Sequence, residues 1–489
     1  MTSINTNVPS MLAQRVLAFQ NKGLVISLER LSTGLRINRG KDDPAGLIAS
    51  ENLRAGMRAI ASAISNAQRA EQVVNVAEGG LAEISNLIVE LQSLVGASAN
   101  EAGLSKEEKE ANQLQIDSIL QTIDRLANST SFQGVKLLNG NFDYTTSGVT
   151  ASLITDVTIN SAKLAKDANL EVAITTIIAA ETGGVFLSTA GTYNGGGGGS
   201  LTIEVTGNDG VQQFTFASGT AQTSIVTAIN AFKDAIGVSA TQAAGNADRV
   251  ELRSLGFGSS AFVRAKEING PDGNDYIFAA DVGGTSLTDL KDKGLDATVT
   301  INGIEATTDG LEARVSSDGF DVAITIDGTS ALNVNGGSTS FTITGGGANF
   351  NLSPDVNLAG KVSIGIETVT TGNLGKAGIG LLADLKAGGS SNVINGDLTT
   401  GQKIVDEAVK QVASLRGRLG AFQKYVVGST IASLGAALEN TAAAESSIRD
   451  TDFAVETAEL TRRQILSQAA THSLIIANAQ PQAVLQLLG

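Results

Sequence analysis

The chain has 489 residues with a formal net charge of −15, no Trp and no Cys, and a single His at position 472. The missing thiols exclude disulfides and thiolate metal or nucleophile chemistry, and one imidazole excludes sites built on His pairs. Phosphate contacts need clustered Lys and Arg, so the acidic balance argues against a nucleic-acid partner.

Charge and glycine are unevenly spread. Residues 150–400 hold 26 acidic against 13 basic side chains and 38 of the 56 glycines, whereas all other positions hold 23 against 21. This boundary predicts helical ends around a Gly-rich middle. No run of eighteen apolar residues is present, so no membrane span is expected. The start, MTSINTNVPSMLAQ, lacks the basic and apolar regions of a cleavable signal peptide.

In chain order, residues 1–37 read as helix after Pro9, with Leu17, Leu24, Leu28, Leu31 and Leu35 at helical spacing. Gly40 suits a helix stop, Asp43 an N-cap, and Pro44 a first helical position. Residues 44–100 then read as one helix, roughly 85 Å long at 1.5 Å per residue. Its seam runs Ile60, Ala63, Ala67, Ala70, Val74, Ala77, Leu81, Ile84, Ile88, Leu91 and Val95, in steps of three and four. Gly79-Gly80 is where a break is expected, since each glycine costs about 1 kcal/mol relative to Ala. Ser105 and Glu108 form a capping box that opens a second helix to about residue 127. A hairpin is predicted next, with residues 135–138 leading to an Asn139-Gly140 turn.

Residues 150–400 read as α+β. Strands are expected at 201–205, 212–216, 250–253, 297–304 and 320–326, with an amphipathic helix at 223–236. After Thr399 a helical seam returns through Val405, Ala408, Val412, Leu415, Leu419, Phe422 and Val426. It is the partner that the long helix needs. The rod seam is therefore expected to join Val74, Leu81, Ile84, Ile88 and Leu91 to Val412, Leu415, Leu419 and Phe422. The helices then pair antiparallel, and the middle is an insertion with its ends close together. The fold class expected is mainly α terminal domains, a long antiparallel bundle or coiled coil, with an inserted β-rich α+β outer domain.

Residues 464–489 contain no charged side chain. Ile465, Ala469, His472, Ile476, Val484, Leu485 and Leu488, with the leucines of the first helix, are expected either to be disordered in the monomer or to be buried against other copies. Two other readings are an intramolecular coiled coil and a membrane-lying helix; the second is disfavoured by a polar face of Gln, Asn and Ser.

Both ends of the chain resemble bacterial flagellin. The likeness lies in Ile4-Asn5-Thr6-Asn7, RLSTGLRINRGKDDPAG (residues 30–46) and SFQGVKLLNG (131–140). It continues in RGRLGAFQ (416–423), AAESSIRDTDFAVETAELTRRQIL (443–466) and ANAQPQAVLQLL (477–488). VTINGIEATTDG (299–310) resembles a short motif of flagellin and hook-associated outer domains. The resemblance implies an inner terminal domain from residues 1–43 and 447–489, and a rod domain with its hairpin from 44–149 and 400–446. It implies a surface-exposed outer domain at 150–399, with two subdomains split near 290, and a spoke carrying Arg39, Asp42, Asp43, Arg449, Asp450 and Asp452.

It implies too a structural subunit of the extracellular filament, exported through the flagellar channel, with no cofactor and no catalysis. The implied partners are further copies of the chain, an export chaperone, the filament cap and the hook–filament junction proteins. A junction protein of the same system, or an adhesin acting through the middle, are the alternatives. Some flagellins carry a zinc peptidase, but its H-E-x-x-H motif is impossible where residues 150–400 hold no His. Asp272-Gly273-Asn274-Asp275 lacks calcium-loop spacing and reads as a turn. Where flagellins seen by Toll-like receptor five carry Arg and Glu, this chain has Glu90 and Gln115. Recognition by that innate receptor is therefore expected to be weak or absent.

Overall fold

The computed structural model describes residues 6–100, 103–165, 168–188, 199–243, 249–269, 276–279 and 286–488; side chains are described within these except at 286 and 480–488. The Asp272–Asp275 turn lies outside the described residues. The chain forms two compact units, one from Met1–Glu71, Asn351–Gly360 and Phe422–Gly489, the other from Gln72–Phe350 and Lys361–Ala421.

In the first unit, helix α1 (Val8–Thr33) starts where Asn7 accepts a hydrogen bond from the Ser10 amide at 3.0 Å. It ends earlier than expected. Gly34, not Gly40, is the C-cap: its φ is 74°, and its amide donates to the Arg30 carbonyl at 2.8 Å. Leu35 therefore lies beyond the helix. The long helix α2 (Pro44–Ser98) begins in this unit, where Asp43 accepts from the Gly46 amide at 2.9 Å.

The second unit holds the rest of α2, with α3 (Lys106–Ser129), whose Ser105–Glu108 capping box forms reciprocally. Glycine does not break α2. An added Cβ at Gly79 would meet nothing within 4 Å, while one at Gly80 would press into Thr130 and Leu138 at 2.7–2.9 Å. Gly80 thus admits the segment after α3, and burial outweighs its helix penalty. The hairpin turns at Gln133-Gly134, both with positive φ, and pairs Ser131–Phe132 with Val135–Lys136. Asn139-Gly140 comes after the hairpin, whose second strand stops at Lys136 so that Leu137 and Leu138 can bury.

The insertion is two nested β-rich cores. The inner one stacks a sheet of Thr307–Asp309, Glu312–Ser317, Phe320–Ile326 and Ile154–Ala162 against one centred on Leu170–Ile178. Val172, Ile174, Val299, Ile301, Val322 and Ile324 fill the space between. The nested core uses two further sheets, one centred on Ser200–Thr206 and Phe262–Asn269, with short helices α4 (Gln222–Asn230) and α5 (Lys233–Ile236). The expected helix at 223–236 is therefore two, and the expected strand at 297–304 is split by Asn302-Gly303, both at positive φ.

Helix α6 (Leu398–Ala421) returns the chain along α2. Arg416 meets Glu78 at 2.8 Å and Asp406 accepts from Gln92 at 2.6 Å, so the two helices run antiparallel in this unit. In the first unit a π-helical turn, Phe422–Gly428, leads to α7 (Ser429–Arg449) and α8 (Phe453–Leu488).

Candidate self-assembly surface

Helices α1 and α8 pack antiparallel. The Asn7 side chain donates to the Ala477 carbonyl at 2.8 Å, Ser467 donates to Asn21 at 2.8 Å, and Arg30 meets Glu456 at 3.5 Å. The buried side chains between the two are small or polar: Ser10 and Ser27 on α1, Ala470, Ala477 and Glu456 on α8. Gly23 is buried among them, and a Cβ there would run into the Arg463 guanidinium. Small residues let the backbones approach closely, and this turns the large apolar side chains outward.

The outward set includes Phe19 at 69% exposure, Ile465 at 61% and Ile476 at 65%. Ile465, Ala469, His472 and Ile476 all lie exposed, and their 4-3-4 spacing puts them on one face of α8. On α1, Leu28 is exposed, and Leu17, Leu24 and Leu31 are half-buried, as is Leu35 beyond the helix. Val484, Leu485 and Leu488 lie outside the described side chains. A groove between the helices is lined by Leu12, Val16, Leu466, Ala469 and Ile476. An apolar surface of this extent, with no other element over it among the described residues, calls for a covering partner.

The spoke residues sit around a short antiparallel bridge between Leu35 and Asp450. The Arg36 amide donates to the Arg449 carbonyl at 2.7 Å, and the Thr451 amide to the Gly34 carbonyl at 2.9 Å. Asp42 accepts from the amides of Asn38 and Arg39, Arg39 pairs with Glu29 at 2.9 Å, and Asp452 caps α8 through the Ala454 amide. Arg449 reaches Glu51 at 2.9 Å.

The rod-seam residues Val74, Leu81, Ile84, Ile88, Leu91, Val412, Leu415, Leu419 and Phe422 are all buried, but Val427 is buried instead of the expected Val426. Glu90 and Gln115 are exposed, next in sequence to exposed Val89 and Leu114.

Sequence reading missed the polar cleft between α6 and the inner sheet. Arg418 bonds Asn160, Glu367 at 3.1 Å and the Gly365 carbonyl at 2.9 Å. Asp156 is exposed overall, but it lines this cleft, and the partial desolvation there, with Glu367 nearby, pushes its carboxyl up. Asp321 goes the other way: burial alone would raise it, but hydrogen bonds from Arg314 and Asn160 hold it below the usual carboxylate range. Among the described residues no group of three or more His, Cys, Asp or Glu could hold a metal ion, and no helix is long and apolar enough to cross a membrane.

Two family models match. The bacterial flagellin N-terminal helical region matches residues 4–143 and the C-terminal helical region matches residues 402–488. Among curated proteins, Flagellin D of Vibrio cholerae serotype O1 is 29% identical over 497 residues, covering 100% of this chain and 99% of the relative. Polar flagellin A of Vibrio parahaemolyticus serotype O3:K6 is 28% identical over 488 residues with the same coverage. Among solved structures, FlgL of Xanthomonas campestris overlays with a TM-score of 0.27 at 13% identity, covering 80% of this chain and 97% of that one. That overlay is too loose for a shared fold to follow from it.

Proposed function

The chain belongs to the bacterial flagellin family and is a filament subunit of that kind; from this we propose how its parts divide the work. Residues 1–43 and 447–489 form the inner terminal domain, residues 44–149 and 400–446 the rod, and residues 150–399 the surface of the filament. The observation that carries the proposal is the apolar face left bare on α1 and α8, with Phe19, Ile465 and Ile476 more than half exposed. Neighbouring copies cover it, so the terminal helices become fully ordered only on assembly, around a central channel. The acidic insertion points outward, where like charge keeps filaments apart. The filament lies outside the cell as a passive propeller, reached through the flagellar export channel. An export chaperone, the cap and the junction proteins are its assembly partners.

Adding ammonium sulfate to the purified chain and following it by negative-stain microscopy tests this. Long filaments that grow from sheared seeds are expected. A chain that stays monodisperse, with both terminal helices already protected from hydrogen exchange, overturns the reading. Glu90 reverses a charge on the exposed rod, where like-charge juxtaposition can cost several kcal/mol. Toll-like receptor five is therefore expected to respond weakly to the monomer, and full activation in a reporter-cell assay overturns this.

A further inference from the structure

The apolar stripe of α6 advances in steps of three and four, and Val405, Ala408, Val412, Leu415, Leu419 and Phe422 are all buried. Continued in that rhythm it runs through Val426, Ser429, Ser433, Ala436, Asn440 and Ala443, and all but the first are exposed. The inward side of α7 lies one position later. Val427 is buried, and Thr430, Leu434, Ala437, Thr441 and Ile448 are half-buried. The sequence thus carries one residue too many for an unbroken α-helical stripe. The backbone absorbs it as the π-helical turn Phe422–Gly428.

The carbonyls of the widened turn find local partners: the Ser429 hydroxyl donates to the Tyr425 carbonyl, and the Thr430 hydroxyl to the Val426 carbonyl at 2.6 Å. What the turn pushes outward is Lys424 and Tyr425. Tyr425 is 66% exposed, with the Lys424 ammonium 5.0 Å above its ring. A tyrosine on a rigid helix brings contact area at low entropic cost, which is why such residues anchor interfaces.

We propose that the π-helical turn presents Lys424 and Tyr425 as a contact point for a second copy of the chain, an inference that rests on the filament reading. Charge complementarity selects the occupant. On the second copy's α2, Glu83 and Glu90 are two turns apart, exposed, and without an ion pair among the described residues; Val89 beside them is exposed as well. Lys424 supplies the opposite charge and Tyr425 covers the apolar surface.

The test uses the full chain, seeded with its own filament fragments. Critical concentration is read by pelleting, and monomer melting by circular dichroism. Tyr425→Ala is expected to leave the melt unchanged and raise the critical concentration about tenfold, the effect of losing 1.4 kcal/mol. Lys424→Glu is expected to raise it too, and Glu90→Lys in the same chain to recover part of the loss. If the parent polymerises and Tyr425→Ala matches it, the contact is overturned while the filament stands. If Lys424→Glu behaves as the parent, the assignment of α2 as acceptor falls. A parent that never polymerises overturns the filament reading itself.

Discussion

Glu181 and Leu295 exchange both backbone hydrogen bonds, at 2.9 and 3.0 Å, although the whole nested core lies between them in sequence. The chain therefore leaves the inner core and re-enters it at one point. Replacing residues 182–294 by a two-residue Asn-Gly turn removes the packing of Phe257 on the inner core but keeps all of its buried residues, and is expected to give filaments that assemble but are thinner by electron microscopy. A cut extending through 343 would remove Val299, Ile301, Val322 and Ile324 from the inner core and is expected to unfold it. Loss of assembly after the shorter excision would show that the nested core takes part in subunit contacts.

Asp156 and Asp321 should give opposite pH responses from one sheet. Partial desolvation in the cleft raises the Asp156 carboxyl, so the folded chain holds a proton that the unfolded chain has lost between the ordinary and the raised value. Stability falls as pH rises through that window, and Asp156→Asn is expected to raise the melting temperature at neutral pH only slightly, because solvent screens this exposed side chain, and to flatten the loss. Asp321 is held low, so its stabilisation is complete above the ordinary carboxylate value and is lost as pH falls through the lowered one. Asp321→Asn is expected to lower the melting temperature at neutral pH, with the deficit shrinking in acid. Melting curves from pH 3 to 7 check both signs.

Gly79 and Gly80 have equal helix penalties and opposite surroundings. Gly79→Ala enters open space and is expected to stabilise α2 by about 1 kcal/mol. Gly80→Val must displace Thr130 and buried Leu138 and is expected to cost about 1–3 kcal/mol. Urea unfolding of both variants measures the difference; equal effects would mean that Gly80 is not needed for close packing.

The helices were legible because their signals are local and periodic: the 3-4 seam of α2, the Ser105–Glu108 box, the uncharged stretch after Arg463. What escaped depends on partners far along the chain. Gly34 and Gly40 both suit a cap, and only the bridge from Leu35 to Asp450 decides that the helix stops at the first. Asn139-Gly140 is the stronger hairpin signal, yet burial of Leu137 and Leu138 draws those residues out of the ladder. The one-residue slip from Val426 to Val427 was present in the spacing of α7's apolar residues, but it appears only when both stripes are followed beyond Phe422. Arg418 gave no local signal, since Asn160 and Glu367 reach it from separate parts of the insertion.

Removing residues 464–489 strips α1 of most of its partner. The Asn7–Ala477, Ser10–Asn478 and Asn21–Ser467 hydrogen bonds vanish, together with the buried Ala470 and Ala477. In the second unit Leu81, Ile84, Ile88 and Leu91 are expected to keep their burial, because α3 and α6, joined to α2 through Asn112–Ser98, Arg416–Glu78 and Gln92–Asp406, are untouched. The truncated chain is therefore expected to remain a soluble, partly helical monomer, with helical circular dichroism reduced by the loss of α8 residues and by fraying of α1. It should form no filaments at any ammonium sulfate concentration and should not extend seeds of the full chain, because the exposed face of Ile465, Ala469, His472 and Ile476 is gone. Sedimentation and electron microscopy read both outcomes. If the truncated chain extends seeds at the parent's rate, the terminal helices do not drive assembly.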